Sequence, residues 1–237
     1  MNINAILFDL DGTLVQHGHV LLPAQLDMWG HPRSQEVVDA AFAVQIQWFY
    51  SYTAQLMAAG REDPHIFRRL YERVTMQLGI DDPSVPIRMD AYFATNPVPP
   101  LYDDVLPLLA RLQEADLTLG IITQRDRQGA TRFLEEHRLI HRFPVLIAGD
   151  DGHGRKPAPD PFHAALKQMG ASAERTLFVG DRIDDDCGGA IAAGVAPFLI
   201  DRSCQHTEEA AKANFVHLHA LTDLLTHLPN QRTNGYG

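Results

Sequence analysis

The main constraint on the fold is a series of short apolar runs, each bounded by turn residues and separated by amphipathic segments. Five runs have the length and composition of buried strands: 5–10, 117–123, 145–148, 177–180 and 197–200. Apolar residues three and four positions apart predict helices between the later runs, at 105–115, 127–139, 161–169 and 185–193. This alternation predicts an α/β fold with a doubly wound, Rossmann-like parallel sheet and right-handed crossovers.

The alternation is interrupted by an insertion, residues 16–95, that has helical periodicity and no convincing strand. Apolar and aromatic stripes predict one long amphipathic helix within 37–56 and a second within 67–78. The proline-rich segment 96–100 would return the chain through a stiff, extended linker. The sequence therefore predicts an α/β core, 1–15 with 96–237, and a small inserted all-helical domain, 16–95.

Charge and cysteine content limit the partners and the compartment. Thirty acidic against twenty basic residues give a formal net charge of −10, which opposes binding to nucleic acid or to anionic membranes. The two cysteines, Cys187 and Cys204, stand in no disulfide framework or metal-binding spacing. No stretch has the ~18 apolar residues of a membrane helix, and the first residues lack a signal-peptide pattern. We expect a cytoplasmic protein with neither nucleic acid nor membrane as partner.

Acidic residues follow two of the predicted strands. Asp9 and Asp11, in the sequence DLDGT, come at the end of the first strand, where alternation directs both side chains to one side. Four more acids lie within 181–186, after the fourth strand. Two carboxylates about 4 Å apart repel each other by roughly 4 kcal/mol at an effective dielectric of ~20, unless a cation or a proton intervenes. Because ligands bind at the carboxyl edge of such sheets and Mg²⁺ prefers oxygen ligands, the acids predict a magnesium site.

Each of these features also has a structural interpretation, and two further polar residues share that ambiguity. Asp11 and the glycine after it suit a simple turn, and one acid of 184–186 suits a helix N-cap. Thr123 ends the second predicted strand, and Lys156 precedes a helix start fixed by proline. A threonine at a strand end is usually structural and a lysine is usually solvated, so neither residue alone indicates a function.

In this order and at these strand ends, the four segments resemble the motifs of the haloacid dehalogenase-like hydrolase superfamily. The similarity is to the phosphoglycolate phosphatase-like branch, which carries a helical cap after the first motif. The first motif reads DLDGTLV, and the fourth reads VGD, with Asp186 five residues after Asp181 and GAIAAG beyond. The resemblance covers nearly the whole chain and implies that 16–95 is the cap.

The resemblance implies a role for each matched residue. Asp9 matches the nucleophile that forms an aspartyl-phosphate, and Asp11 matches the general acid that then activates water. The implied metal ligands and their support are Asp9, Asp11, Asp181 and Asp186. The residues expected to bind the phosphoryl group are Gly12, Thr123, Gln124 and Lys156. The implied catalytic residues are Asp9, Asp11, Thr123 and Lys156.

Two motifs depart from the family's pattern. The second commonly has Asn after its Thr or Ser, whereas Gln124 and Arg125 stand there in this chain. The fourth commonly has Ser and Asn where this chain has Arg182 and Asp185, and we expect these two residues to form an ion pair. Cys187 is expected to be a buried helix residue and not a nucleophile.

The resemblance also narrows the reaction. The residue two positions after the nucleophile differs between reactions in the superfamily: dehalogenases have Asp-x-Tyr and phosphonate-cleaving members have Asp-x-Ala. Asp11 stands at that position in this chain and argues against both reactions. We expect a Mg²⁺-dependent phosphomonoester hydrolase that acts on a small-molecule phosphate ester, as a monomer or a homodimer. A phosphosugar mutase and a non-catalytic phospholigand-binding protein remain as alternatives. The cap has no lysine, so a second anionic group on the substrate would meet its arginines and histidines. We hypothesise that His17 or His19, just after the first motif, borders the entrance to the site.

Overall fold

The computed structural model describes residues 3–95, 97–115, 117–202 and 215–228. The chain divides into two compact units. One consists of Met1–Gln16 with Pro100–Gly237, and the other consists of His17–Pro99. No helix of the described residues is long and apolar enough to cross a membrane. Cys204 lies outside the described residues.

The first unit is built on a parallel sheet of short, buried strands. The strands are β1 (Ala5–Phe8), β2 (Thr118–Ile122), β3 (Val145–Ile147), β4 (Thr176–Gly180), β5 (Ala196–Ile200) and β6 (Val216–Leu218). They lie in the order β3-β2-β1-β4-β5-β6, and every neighbouring pair is parallel. The α/β prediction is therefore confirmed, and the five predicted strands are present. The sequence missed β6, because its three residues include the polar His217 and give no apolar run.

In the chain order of this unit, helices lie between successive strands from β1 to β5. They are α5 (Val105–Leu112), α6 (Arg127–Glu136), α7 (Asp160–Met169) and α8 (Gly188–Ala192), with short 3-10 turns at Ile140–Arg142, Ala173–Arg175 and Leu221–Thr226. The predicted helix at 185–193 is instead a π turn, Ile183–Cys187, followed by α8. Burial drives this packing, since α5 places Val105, Leu108 and Leu112 in the interior.

The second unit, within His17–Pro99, is helical throughout its regular elements. A 3-10 turn (Gly18–Leu21) leads to α1 (Leu22–Met28), α2 (Gln35–Ala58), α3 (Ile66–Gln77) and α4 (Val85–Ala94). The sequence predicted helices in the regions of α2 and α3 and missed α1 and α4. Both missed helices are short and carry proline in the first turn, where proline is tolerated although it resembles a turn signal. They contribute Leu22, Leu26, Val85 and Met89 to the unit's own apolar core.

Candidate active site

Three adjacent strands deliver polar residues to one edge of the sheet. Asp9, Thr123 and Asp181 directly follow β1, β2 and β4, whose registers align Phe8 with Ile121 and with Val179. The backbone amide of Asp9 donates to the Val179 carbonyl at 2.8 Å, which extends the ladder to the nucleophile candidate itself. The strand order reverses between β1 and β4, and an α/β sheet opens a crevice for ligands at such a reversal.

A tight turn that contains Asp11 follows β1. Gly12 has φ +87°, in the left-handed region that side chains disfavour, and its amide donates to the Val15 carbonyl at 2.7 Å. The amides of Leu14 and Val15 donate to the Leu10 carbonyl at 3.0 and 2.9 Å. These bonds hold the backbone of residues 10–15 in a tight turn directly after the strand.

Lys156 connects two carboxylates that are far apart in the sequence. Its Nζ lies 2.5 Å from Asp9 Oδ1 and 2.5 Å from Asp186 Oδ1, and it donates to the Ile122 carbonyl at 3.2 Å. All three ionisable residues are buried. Breaking a buried network of this kind by removing one partner is costly, so the arrangement holds the ammonium and both carboxylates in place.

The charges in this cluster are strongly perturbed. Burial raises the pKa of Asp9, against the lowering effect of Lys156, and repulsion from Asp186 and Asp181 raises it further. Burial likewise raises the pKa of Asp186. Burial alone would lower the pKa of Lys156, but the charges of Asp186 and Asp9 outweigh it and raise that pKa. The site therefore concentrates more negative charge than Lys156 alone offsets.

Asp9, Asp181 and Asp186 have the composition of a divalent-cation site. Each offers one carboxylate oxygen, and the three oxygens lie within 4.8 Å of one another. Oxygen ligands suit Mg²⁺, and the mutual repulsion that raises the pKa of Asp9 is what a divalent cation relieves. The residues present therefore fit a magnesium ion.

Gly180 gives Asp186 the room to reach the cluster. A Cβ placed on Gly180 would lie 2.4 Å from both Cγ and Oδ2 of Asp186, closer than carbon atoms pack. We expect Gly180→Ala to lower the free energy of unfolding by about 2 kcal/mol, as overpacking does, and to lower turnover by displacing the carboxylate. Urea unfolding and a phosphate-release assay measure the two effects.

Gly188→Ala is the matched control for this prediction. Gly188 lies in the same segment, has helical dihedrals, and a Cβ there would come no closer than 3.7 Å, to the Ile183 carbonyl. Equal behaviour of the two variants in unfolding and turnover would show that the close approach at Gly180 has no consequence.

Thr123 and Gln124 have different surroundings. Thr123 is buried, and its Oγ1 accepts a bond from the Arg125 amide at 3.1 Å. The Gln124 amide nitrogen donates to the Lys156 carbonyl at 2.9 Å, and its oxygen accepts from Arg155 Nε at 2.9 Å. Gln124 thus connects the end of β2 to the segment that carries Lys156, and its expected role in phosphate binding stays a prediction.

Arg125 departs from the second motif of the family, and the sequence indicates no role for it. Its Nε lies 3.1 Å from Asp11 Oδ2, and its Nη2 also contacts Asp11 Oδ1. The other departure behaves as predicted: Arg182 pairs with Asp185 at 3.1 Å, which confirms the expected ion pair. The prediction for Cys187 is also confirmed, because the residue is buried in a helical turn and burial raises the pKa of its thiol.

The second unit holds His17 and His19 at its start. The His19 ring stacks on Phe42 at 4.6 Å and on His17 at 5.6 Å, and its Nε2 lies 3.2 Å from Asp39 Oδ1. Burial, and then the neighbouring His17, lower the pKa of His19 to about 4 despite Asp39. The hypothesis that one of these histidines borders the site entrance stays a prediction.

We expect this unit to lose stability as the pH falls from about 6.5 to about 4. The unfolded chain protonates His19 at its ordinary pKa of ~6.5, whereas the folded protein keeps it neutral to a lower pH. The unfolded state then binds more protons in this window, so the free energy of unfolding decreases by up to roughly 3 kcal/mol. Urea unfolding followed by the fluorescence of Trp29 and Trp48, both in this unit, measures the change.

His19→Phe should remove most of this acid sensitivity, because phenylalanine keeps the stacking on Phe42 and does not titrate. His163→Phe, at an exposed position of α7, is the matched control and should keep it. An undiminished acid loss in His19→Phe would refute the assignment.

Comparisons with known proteins agree with this geometry. A family model described as a haloacid dehalogenase-like hydrolase matches residues 3–194. The pyrophosphatase PpaX of Bacillus mycoides is 29% identical over 99% of this chain and 100% of its own length. A phosphoglycolate phosphatase of Aliivibrio fischeri is 28% identical over 87% of this chain and 88% of its own. The crystal structure of magnesium-bound YfnB from Bacillus subtilis covers 96% of this chain and 99% of its own, with a TM-score of 0.73 and 16% identity, which is a likeness of fold.

Proposed function

Because the chain belongs to the haloacid dehalogenase-like hydrolase family, we propose that it is a Mg²⁺-dependent phosphatase that hydrolyses a small phosphorylated metabolite through an aspartyl-phosphate. The observation that carries the proposal is the buried bridge from Lys156 to both Asp9 and Asp186, with Asp181 beside it. A reactive carboxylate held next to a cation, at the ligand-binding edge of the sheet, suits attack on a phosphate dianion.

In the first half-reaction, Asp9 acts as the nucleophile. One of its carboxylate oxygens bonds to phosphorus while the bond from phosphorus to the leaving-group oxygen breaks. Asp11 donates its proton to that oxygen, so the leaving group departs as an alcohol or an acid. Lys156 Nζ and Thr123 Oγ1 bind oxygens of the transferring group, where negative charge must be stabilised in the transition state.

In the second half-reaction, Asp11 acts as the base. Its carboxylate takes a proton from water as the water oxygen bonds to phosphorus, and the bond between phosphorus and the Asp9 oxygen breaks. Inorganic phosphate leaves, and Asp9 is again a carboxylate while Asp11 is protonated for the next cycle. Formation and hydrolysis of the intermediate thus use the same two aspartates, Asp9 and Asp11.

We propose that the Asp9 and Asp181 carboxylates and the Asp11 backbone carbonyl hold the magnesium ion, with Asp186 supporting that arrangement. When bound, the ion would offset the charge between the Asp9 carboxylate and the substrate phosphate. Asp186 also accepts a bond from the Arg182 amide at 3.0 Å, and that bond fixes its second oxygen. Both oxygens of Asp186 are therefore held, one by Lys156 and the other by the Arg182 amide.

We propose that residues 16–95 act as a cap that excludes water and selects the substrate. Two similar proteins are named a pyrophosphatase and a phosphoglycolate phosphatase, which supports a small phosphate compound as the substrate of this chain. A cytoplasmic location and a monomeric or homodimeric state stay predictions.

The test is phosphate release from a panel of small phosphate esters and pyrophosphate, with Mg²⁺ and with excess chelator. We expect release that depends on Mg²⁺ and disappears on chelation. Isomerised sugar phosphate without free phosphate would favour the mutase alternative. Binding of esters without any turnover would favour the non-catalytic alternative.

A further inference from the structure

The strongest feature that the proposed mechanism leaves unused is Arg125, at the end of the second motif. Its guanidinium contacts both carboxylate oxygens of Asp11, through Nε and Nη2. The side chains of Arg125 and Asp11 are 20% and 31% exposed, so both border the space that a ligand can reach. Arg125 is thus a cation bonded to the residue proposed as the general acid.

The place of Asp11 defines the place of the leaving group. A general acid must come within hydrogen-bonding distance of the oxygen that it protonates. Because the Arg125 guanidinium is bonded to the Asp11 carboxylate, only the Asp11 side chain would separate it from the leaving-group oxygen. Arginine also has more N–H donors than the two that Asp11 receives, and they suit planar anions such as carboxylate and phosphate.

The distribution of positive charge at the sheet edge also indicates that Arg125 could bind the leaving group. The Lys156 ammonium is already shared by Asp9 and Asp186, so it is committed to the nucleophile side of the site. A leaving group that carries its own negative charge would approach Asp11 with no compensation from Lys156. Arg125 is also paired with a carboxylate, but its guanidinium lies on the Asp11 side of the site and has N–H donors beyond the two that face Asp11, which can bind that anion.

We propose that Arg125 is a specificity-determining residue that selects substrates whose leaving group carries its own negative charge, either on a carboxylate or on a second phosphate. This inference rests on the proposed function and names the substrate class of the same site. In the substrate complex, the guanidinium would bridge Asp11 and the anion of the leaving group. A neutral leaving group would leave those donors without a partner, and sites built to bind a polar group discriminate strongly against analogues that lack it.

The test compares substrates that differ mainly in the charge of the leaving group. 2-Phosphoglycolate and 2-hydroxyethyl phosphate have similar size, and only the first has a leaving group that carries a carboxylate. Pyrophosphate is the third substrate in the comparison, and its leaving group is phosphate. We expect the wild-type protein to prefer the anionic substrates in kcat/KM, and Arg125→Ala to reduce that preference at least about tenfold.

Two further variants test whether the preference depends on the charge of Arg125, on its planar guanidinium, or on any arginine in this region. Arg125→Lys keeps the charge but not the planar fork, so it should retain only part of the preference. Arg132→Ala, on the exposed face of α6, removes an arginine near the same loop and should leave the preference unchanged. An equal loss on all substrates in Arg125→Ala would contradict the proposal, because it would show that Arg125 only positions Asp11.

Binding measurements keep this test separate from the proposed function. In an Asp9→Asn background, calorimetry compares the affinities for 2-phosphoglycolate and 2-hydroxyethyl phosphate with and without Arg125→Ala. Tighter binding of the anionic ester that depends on Arg125 supports the inference even if the wild-type protein turns over no ester. Equal binding of the two esters overturns the inference and leaves the phosphatase proposal standing.

Discussion

Asp9→Asn is expected to reduce phosphate release by at least about ten-thousandfold, because an amide cannot form the acyl-phosphate bond. The fold should survive the change. Lys156 Nζ would keep Asp186 as a charged partner at 2.5 Å, and the backbone bond from residue 9 to Val179 does not involve the side chain. Initial rates at saturating substrate with Mg²⁺, together with thermal unfolding of the same preparation, measure both effects.

Asp103→Asn is the matched control, since Asp103 is an exposed carboxylate of the same unit. It should change neither the rate nor the unfolding temperature. If Asp9→Asn retained a substantial rate while remaining folded, another group would be the nucleophile and the proposed reaction would be wrong.

Lys156→Met is expected to damage stability and turnover together. The change leaves Asp9 and Asp186 buried without their shared cation, and loss of one partner from a buried ionic network typically costs about 3–5 kcal/mol. Turnover should fall by about a thousandfold, because a donor to the transferring phosphoryl group is lost. Urea unfolding in metal-free buffer and initial rates with Mg²⁺ measure the two losses.

The pH dependence of this variant tests the cause of the instability. Burial already raises the pKa of Asp9 and of Asp186, and loss of the lysine removes the opposing influence. Because the folded variant then binds protons more readily than the unfolded chain, its deficit should shrink as the pH falls. Lys167→Met, at an exposed position of α7, should show no deficit at any pH. A deficit that is constant with pH would contradict the electrostatic account.

Most of the α/β core could be predicted from the apolar pattern of the sequence. Buried parallel strands appear as continuous apolar runs, so the strands at Ala5–Phe8 and Thr176–Gly180 were predictable within one or two residues. The edge strand β6 was not, because a strand of three residues at the sheet margin needs few apolar side chains. In the helical unit, prolines in the first turns of α1 and α4 resembled loop signals.

The candidate site was predictable to the extent that strand ends determine position. Asp9 and Asp181 come from adjacent parallel strands, so their proximity follows once the strand order is known. The contacts of long side chains do not follow from that order. The pairing of Arg125 with Asp11 and the use of Gln124 to hold the Lys156 backbone depend on rotamers and loop paths that no periodicity encodes.

A burst experiment on Asp11→Asn with p-nitrophenyl phosphate and Mg²⁺ tests directly whether Asp9 carries the phosphoryl group during the reaction. This leaving group needs no proton, so transfer to Asp9 should proceed while hydrolysis of the intermediate, which needs the Asp11 base, is slow. We expect one p-nitrophenolate per protein in the first turnover, with a phosphoryl group on the acid-quenched peptide that carries Asp9. Turnover without a burst and with Asp9 unmodified would contradict the proposed mechanism.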